Sequence, residues 1–187
     1  MLQEYINAVK AASRRVADLM DQILLALPSW SLAPVVDSLV ALRGIDKLAV
    51  ITLLSELGDI SRFDNPKQLM AFLGLVPSEH STGKRRRQGA ITLTGNGYAR
   101  RILVESVWSY RFQARQTMHL KRKAVNASDD AWRAQRRLCG RYRRLIESGK
   151  NQKLVCVAIA RELVGFIWHI VCIEMARLPE RQVTQAA

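Results

Sequence analysis

The stretch VVDSLVALRGIDKLAVITLLSEL, residues 35–57, decides the fold class of this chain. Apolar residues fill both of its halves, and the turn Leu42-Arg43-Gly44-Ile45-Asp46 separates them. Gly44 can adopt the positive φ that a tight turn requires, because glycine has no Cβ. The stretch therefore predicts two short helices joined by a hairpin.

This hairpin resembles a helix-hairpin-helix element. In such an element the N–H groups of the turn and the following helix N-terminus hold a DNA phosphate without reading sequence. Arg43 and Gly44 are therefore candidate nucleic-acid-binding residues. The alternative interpretation is that Gly44 only terminates a helix.

Helices are also predicted on both sides of the hairpin. Upstream, residues 1–27 form one amphipathic helix that ends at Pro28, with an a/d heptad pattern of apolar residues. This arm either forms half of a coiled coil or packs on its own domain. Downstream, Gly58 ends the second hairpin helix, and Asn65 followed by Pro66 begins the next one. The heptad positions are Leu2, Val9, Val16 and Ile23, together with Tyr5, Ala12, Leu19 and Ala26.

The second half of the chain predicts one long loop and three long helices. Residues 75–95 are mostly polar, and a loop of this length is usually functional or disordered. The first of these helices is expected over about 97–123, with Asn96 as its cap. The second is expected to begin at the candidate cap Ser128 and to end at about 146, and the third follows Gly149 over about 151–177. No convincing strand pattern occurs. The fold is therefore predicted to be mainly or wholly α.

The expected organisation is a coiled-coil-like helical arm over 1–30, a compact helical domain over 31–178 and a tail over 179–187. Three cysteines without a CxxC pair, and no secretory signal, indicate a reducing cytoplasm. The histidines show no spacing with cysteine that would indicate zinc. The most apolar stretch, 154–173, contains Arg161 and Glu162, so it predicts a buried core helix and no membrane span.

Positive charge is concentrated in one segment. Residues 84–153 contain 19 Lys/Arg and 4 Asp/Glu, whereas the rest of the chain is slightly acidic, although the whole carries +13. A concentrated positive field attracts polyanions, and nucleic acid is the default partner. A basic surface without a ligand is the alternative.

The polar loop combines hydroxyls with cations. Ser81 and Thr82 directly precede Gly83, and Lys84-Arg85-Arg86-Arg87 follow. Arginine grips phosphate through two N–H bonds, and a hydroxyl held beside it could attack phosphorus if a base or metal activated it. Ser81 could equally be a solvated loop serine, and the basic run a nonspecific polyanion patch.

Several motifs in fixed order resemble the C-terminal domain of the DEDD serine transposases of insertion sequences, the IS one-ten/one-sixteen group. The resemblance covers roughly residues 35–175. The motifs are LRGI (42–45), FLGLVPSE (72–79), STGKRRRQG (81–89), ITLTGN (91–96) and ARRILVE (99–105). Leu93 departs from the pattern, because the family commonly has a basic residue there.

The resemblance implies a serine that attacks DNA and becomes covalently linked to it during site-specific recombination. Ser81 is the first choice for this nucleophile, and Thr82 is the alternative. Lys84, Arg85, Arg86, Arg87, Arg100 and Arg101 would contact the nucleic-acid backbone. Thr94, Gly95 and Asn96 would shape a helix N-terminus that binds anions. Some members of the family use a structured guide RNA.

Complete members join this domain, through a coiled-coil arm, to an N-terminal RuvC-like domain whose four acidic residues hold magnesium. No such half precedes residue 1, so we expect no cofactor in this chain and a fragment or a truncated frame. The chain alone should bind DNA without recombining it. It should form a homo-oligomer through the arm. Its expected location is the bacterial cytoplasm, in association with the nucleoid. The alternatives are a non-catalytic helix-hairpin-helix nucleic-acid-binding module and an RNA-binding protein.

Overall fold

The computed structural model describes residues 1–79, 82, 88–115 and 128–185. Within these ranges the chain forms seven α-helices, three short 3-10 segments and one two-stranded antiparallel sheet. The prediction of a mainly α fold is confirmed. The helices are α1 (Leu2–Ala26), α2 (Ala33–Leu39), α3 (Lys47–Leu57), α4 (Pro66–Phe72), α5 (Gly97–Ser106), α6 (Ser128–Glu147) and α7 (Gln152–Gln185). The strands are β1 (Pro77–Glu79) and β2 (Gln88–Ile91).

The chain divides into two compact units, residues 1–34 and residues 35–187. Helix α1 makes up most of the first unit. None of its residues is buried, and its apolar heptad side chains are exposed to solvent. The helix therefore has an apolar stripe that its own unit leaves uncovered.

The predicted hairpin forms between α2 and α3. Gly44 has φ +81°, and the amide of Ile45 donates to the carbonyl of Leu42 across the turn (3.3 Å). The Asp46 carboxylate then caps α3 by accepting from the amide of Ala49 (2.7 Å). The positive φ of Gly44 confirms the predicted turn, and the Asp46 cap is a further local signal that the sequence analysis did not use.

Helix α7 lies at the centre of the second unit and packs against α4, α5 and α6. Its buried apolar residues include Val155, Ile159, Leu163 and Ile167. The span Gln152–Leu178 is long and apolar enough to cross a membrane by length and composition alone, but half of its apolar window is buried inside the fold. This burial is typical of the core helix of a globular domain, as the sequence predicts.

The stretch 75–95 is not free of strands, contrary to the prediction. Strands β1 and β2 pair in antiparallel register, with Pro77 opposite Ile91 and Glu79 opposite Gln88. The Ser78 hydroxyl also donates to the carbonyl of Ala90 (3.0 Å). The strands are only three and four residues long, so they are too short to show an alternating pattern in the sequence.

Two predicted helix ends are also wrong. Helix α5 ends at Ser106 and continues as the 3-10 segment Val107–Arg111, instead of running to about 123. The hydroxyls of Ser106 and Ser109 donate to backbone carbonyls of the preceding turn, a bond that competes with the regular helical pattern. Helix α7 runs to Gln185 rather than to about 177, because the turn containing Pro179 stays helical.

Candidate nucleic-acid interface

The two ends of the loop that carries Ser81 and Thr82 are held by backbone hydrogen bonds. The amide of Thr92 donates to the carbonyl of Val76 (2.9 Å), and the amide of Leu93 donates to that of Gly74 (3.2 Å). Residues 72–76 and 92–96 therefore lie side by side, and we call them the loop frame. Strands β1 and β2 extend from this frame toward the loop.

Two glycines allow the halves of the loop frame to approach closely. Gly74 has φ +64°, and a Cβ there would lie 2.3 Å from the carbonyl oxygen of Thr94. Gly95 has φ +72°, and its Cβ would lie 1.8 Å from the carbonyl oxygen of Phe72. No side chain fits at either position, because both the backbone conformation and the space exclude it. The sequence predicted Gly95 as a site residue but missed Gly74.

Arg100 ties α5 to the loop frame. Its half-buried guanidinium donates through one nitrogen, Nη1, to the carbonyl oxygens of Leu73 (2.9 Å) and Thr94 (2.8 Å). These carbonyls belong to opposite halves of the frame. Arg100 thus has a structural role that the sequence did not indicate, beside the phosphate contact predicted for it.

Asn96 caps α5 as predicted. Its side-chain oxygen accepts from the amide of Ala99 (2.9 Å), and its side-chain nitrogen donates to the carboxylate of Glu56 at the end of α3. The hydroxyls of Thr92 and Thr94 are hydrogen-bonded to each other (3.1 Å). One amide at the N-terminus of α5 is therefore already bonded to the Asn96 side chain. A phosphate bound at this N-terminus would accept from the remaining amide N–H groups.

Arg101 is the solvent-facing cation of this region. Its side chain is 76% exposed and forms an ion pair with Glu105 one turn later (2.7 Å). The hydrogen bond that Arg101 donates to the Glu105 carboxylate raises the pKa of Arg101, so the guanidinium is charged at any working pH. Its exposure leaves it available for a phosphate, and the neighbouring Tyr98 is exposed as well.

Arg43 and Gly44 make contacts inside the fold. The guanidinium of Arg43 donates to the carbonyl of Gln113 (2.8 Å) and lies 3.9 Å from the sulfur of Cys139. A Cβ on Gly44 would lie 2.3 Å from the carbonyl oxygen of Ser106. The hairpin therefore packs on the C-terminal end of α5, whereas the loop frame lies at its N-terminal end, about 15 Å away along the helix axis.

Burial raises the pKa of the Cys139 thiol, and the nearby Arg43 opposes this shift. Arg43 also lines a cavity of about 350 Å³ with Phe112, Gln113 and Arg115. These contacts explain the position of Arg43 without a ligand. A phosphate contact from the hairpin stays a prediction.

The central catalytic candidates are described only in part. Thr82 is exposed to solvent. Ser81, Lys84, Arg85, Arg86 and Arg87 lie outside the described residues. The described residues on either side of this segment, Glu79 and Gln88, are paired in the sheet, so the segment begins and ends at neighbouring positions of one ladder.

Comparison with known proteins finds a family that part of this chain resembles. Residues 37–122 match the family model described as Transposase IS116/IS110/IS902 family, and this match includes the hairpin, the loop frame and α5. Over these residues the chain is similar to that transposase family. The resemblance stated from the sequence is confirmed at this level.

Curated relatives agree with the family match. Over 148 residues, 77% of this chain, the sequence is 47% identical to "Putative transposase y4qE" of Sinorhizobium fredii. Over 129 residues, 68% of this chain, it is 30% identical to "Transposase for insertion sequence element IS1111A" of Coxiella burnetii. The matches cover 38% and 30% of those relatives. The chain thus spans roughly a third of the length of the transposases that it resembles.

Proposed function

We propose that this chain is the DNA-binding and serine-bearing part of an insertion-sequence transposase that acts by site-specific recombination. One observation carries the proposal: the transposase family domain contains a loop frame that holds both ends of a hydroxyl-rich, arginine-rich loop. A nucleophile must be held in a fixed position relative to the phosphate, and residues on a rigid scaffold meet this need better than a free loop.

The proposed reaction is attack of the Ser81 hydroxyl on a DNA phosphodiester. The serine oxygen forms a bond to phosphorus, and the bond from phosphorus to one deoxyribose oxygen breaks. The serine proton passes to a base, and the leaving oxygen takes up a proton. Lys84, Arg85, Arg86 and Arg87 would offset the charge that builds on the phosphoryl oxygens. Thr82 is the alternative nucleophile.

The base or metal that activates the hydroxyl is expected in a RuvC-like domain of the complete enzyme. That domain would bring magnesium through its own acidic residues. In the described part of this chain, no group of three or more His, Cys, Asp or Glu is placed to hold a metal ion. We therefore propose that the chain alone binds DNA without exchanging strands.

Trapping of a covalent protein–DNA adduct tests the nucleophile. The chain is combined with a RuvC-like partner domain, magnesium and labelled element-end DNA, and the product is run on a denaturing gel. Ser81→Ala should abolish the adduct. Ser78→Ala is the matched control, because the Ser78 hydroxyl is engaged with the carbonyl of Ala90 in the sheet. An adduct that survives both Ser81→Ala and Thr82→Val would contradict the proposal.

If no adduct forms although DNA still binds, the chain is a non-catalytic nucleic-acid-binding module. In that case Ser81→Ala changes nothing, whereas charge reversal at Arg85, Arg86 and Arg87 abolishes binding. Strand exchange by the purified chain alone would contradict the need for a second domain. Binding to a structured guide RNA is a further part of the proposal, and competition between that RNA and DNA measures it.

We also propose that α1 associates with a second copy of itself. Its 25 residues carry an apolar stripe in heptad spacing, and none of them is buried. Two such stripes would cover each other in a coiled coil. Val16→Lys should convert an oligomer to a monomer in light scattering, whereas Arg15→Gln, at the neighbouring exposed position, should not.

The expected location, in the cytoplasm with the nucleoid, follows from a DNA substrate.

A further inference from the structure

Helix α6 has one face rich in arginine. Its opposite face packs in the core through Ala131, Ala134, Leu138 and Tyr142. The exposed arginines lie at helical spacing, so they share one side of the helix over about 16 Å. They are Arg133, Arg136, Arg137, Arg141, Arg143 and Arg144.

These arginines outnumber the carboxylates near them. Arg133 pairs with Asp130 (3.0 Å), while Arg137 and Arg141 share the single carboxylate of Glu162 on α7 (2.9 and 2.6 Å). Arg136 has no ion pair within the described ranges. Arg133 and Arg137 are still 67% and 64% exposed, and each uses only one nitrogen in its pair. The remaining N–H groups are open to a ligand.

An aromatic ring lies at the same place. Arg133, Arg136 and Arg137 line a cleft of about 600 Å³ together with the half-buried Phe166 of α7. The other three phenylalanines each have an arginine over the ring, with guanidinium-to-centroid distances of 4.6 to 5.3 Å. The ring of Phe166 has no such cover among the residues that the structure describes.

We propose that this cleft is a second nucleic-acid site, which binds one unpaired strand. Proteins that hold single strands combine a positive groove for the phosphates with an aromatic side chain on which a base stacks. In a duplex the bases stack on each other, so the ring of Phe166 would have no free base to stack on. An acidic peptide would use the arginines alone. The combination of ring and cations therefore favours a single strand.

This site is formed by residues of α6 and α7 and contains no residue of the loop that carries Ser81, so it goes beyond the function proposed for that loop. Such a strand can be unpaired DNA or an unpaired stretch of RNA. Both present the same chemistry, a phosphodiester chain with a free base. The experiment therefore compares the two sugars directly.

Fluorescence anisotropy with the full 187-residue chain tests the site. The probes are a labelled single-stranded DNA of about 15 nucleotides, the RNA of the same sequence, and the DNA duplex, at about 0.1 M salt. Phe166→Leu should weaken binding of single strands about tenfold and change duplex binding less than twofold. Phe166→Tyr, which keeps the ring, should bind single strands as the wild type does. A tenfold loss with one sugar only would identify that strand as the ligand.

Arg136→Gln should lower single-strand affinity and reduce the dependence of binding on salt by about one phosphate contact. Arg15→Gln on α1 is the matched control and should leave it unchanged. Circular dichroism confirms that each variant is folded. Equal affinity of Phe166→Leu and wild type for both single strands would overturn the proposal. So would equal losses for single strands, duplex and heparin, which would indicate a general polyanion patch. Ser81→Ala should not alter this binding, so the two proposals fail independently.

Discussion

Replacement of Arg100 by alanine should destabilise the domain even though arginine at this position was predicted only to contact phosphate. The guanidinium donates to the carbonyls of Leu73 and Thr94, which belong to opposite halves of the loop frame. Alanine leaves both carbonyls without this partner and removes the packing of the aliphatic stem. The change therefore loosens the frame at the point where α5 joins it.

The expected magnitude follows from these two bonds. A hydrogen bond to a charged group contributes about 1.5–3 kcal/mol when buried. The Arg100 side chain is only half-buried, so water can replace part of each bond, and about 1 kcal/mol per bond is the better value. With the lost packing, the free energy of unfolding should fall by about 2–3 kcal/mol. For a chain of this size that corresponds to a decrease in Tm of about 5–10 °C.

Urea unfolding followed by tryptophan fluorescence measures this loss. Trp168 is a suitable reporter, because its indole N–H donates to the carbonyl of Phe63 inside the second unit (2.9 Å). Arg101→Ala is the matched control. Its side chain is exposed and forms only a surface ion pair, so its removal should leave the unfolding midpoint close to that of the wild type. Equal unfolding midpoints for Arg100→Ala and wild type would refute the structural role of Arg100.

Three further predictions concern the backbone and the core. Gly95→Ala should lower the free energy of unfolding by more than Gly58→Ala does, because its Cβ would overlap the carbonyl oxygen of Phe72. A Cβ on Gly58 has no atom within 4 Å, so that change should cost only the backbone strain at φ +64° and ψ −141°, about 1–3 kcal/mol, and urea unfolding measures both. Leu93→Gly should raise Tm by relieving φ +57°, a gain of about 1 kcal/mol, and an unchanged Tm would contradict this. Tyr110→Phe should stabilise the fold at pH 7 by about 1 kcal/mol, because the buried hydroxyl has no partner among the described residues. Burial raises the pKa of Tyr110, so the free energy of unfolding of the wild type falls as the pH rises above the unfolded phenol pKa of about 10. Urea midpoints at pH 7 and above pH 10 should therefore differ more in wild type than in the variant.

Local signals account for the parts of the fold that the sequence predicted correctly. Asn65 and Asn96 cap their helices through bonds to amides two or three residues away, so the sequence alone contains both partners. Gly44 and Gly58 have the positive φ expected after or between helices. Features of this kind depend on neighbours in the chain, and a single sequence can reveal them.

Contacts between distant residues account for what the sequence missed. Arg100 lies 27 residues from Leu73, and Arg43 lies 70 residues from Gln113, yet each donates to that backbone carbonyl. A guanidinium serves equally well for a carbonyl or a phosphate, so residue type does not show which one it meets. Strand β1 was missed for another reason, because three residues are too few to establish a period.

The loop frame concentrates unusual backbone conformations in a few residues. Gly74, Leu93 and Gly95 all have positive φ, and of these only leucine carries a Cβ, at a cost of about 1–2 kcal/mol. Such strain persists only where the surroundings fix it, and here the amide of Leu93 is held by the carbonyl of Gly74 and the carbonyl of Thr94 by Arg100. A purely structural turn could avoid this cost with asparagine or glycine at position 93. The strain therefore favours the interpretation that the conformation of the frame serves the loop that it supports. The exposed Leu93 side chain is directed to solvent beside the strands that lead to Ser81.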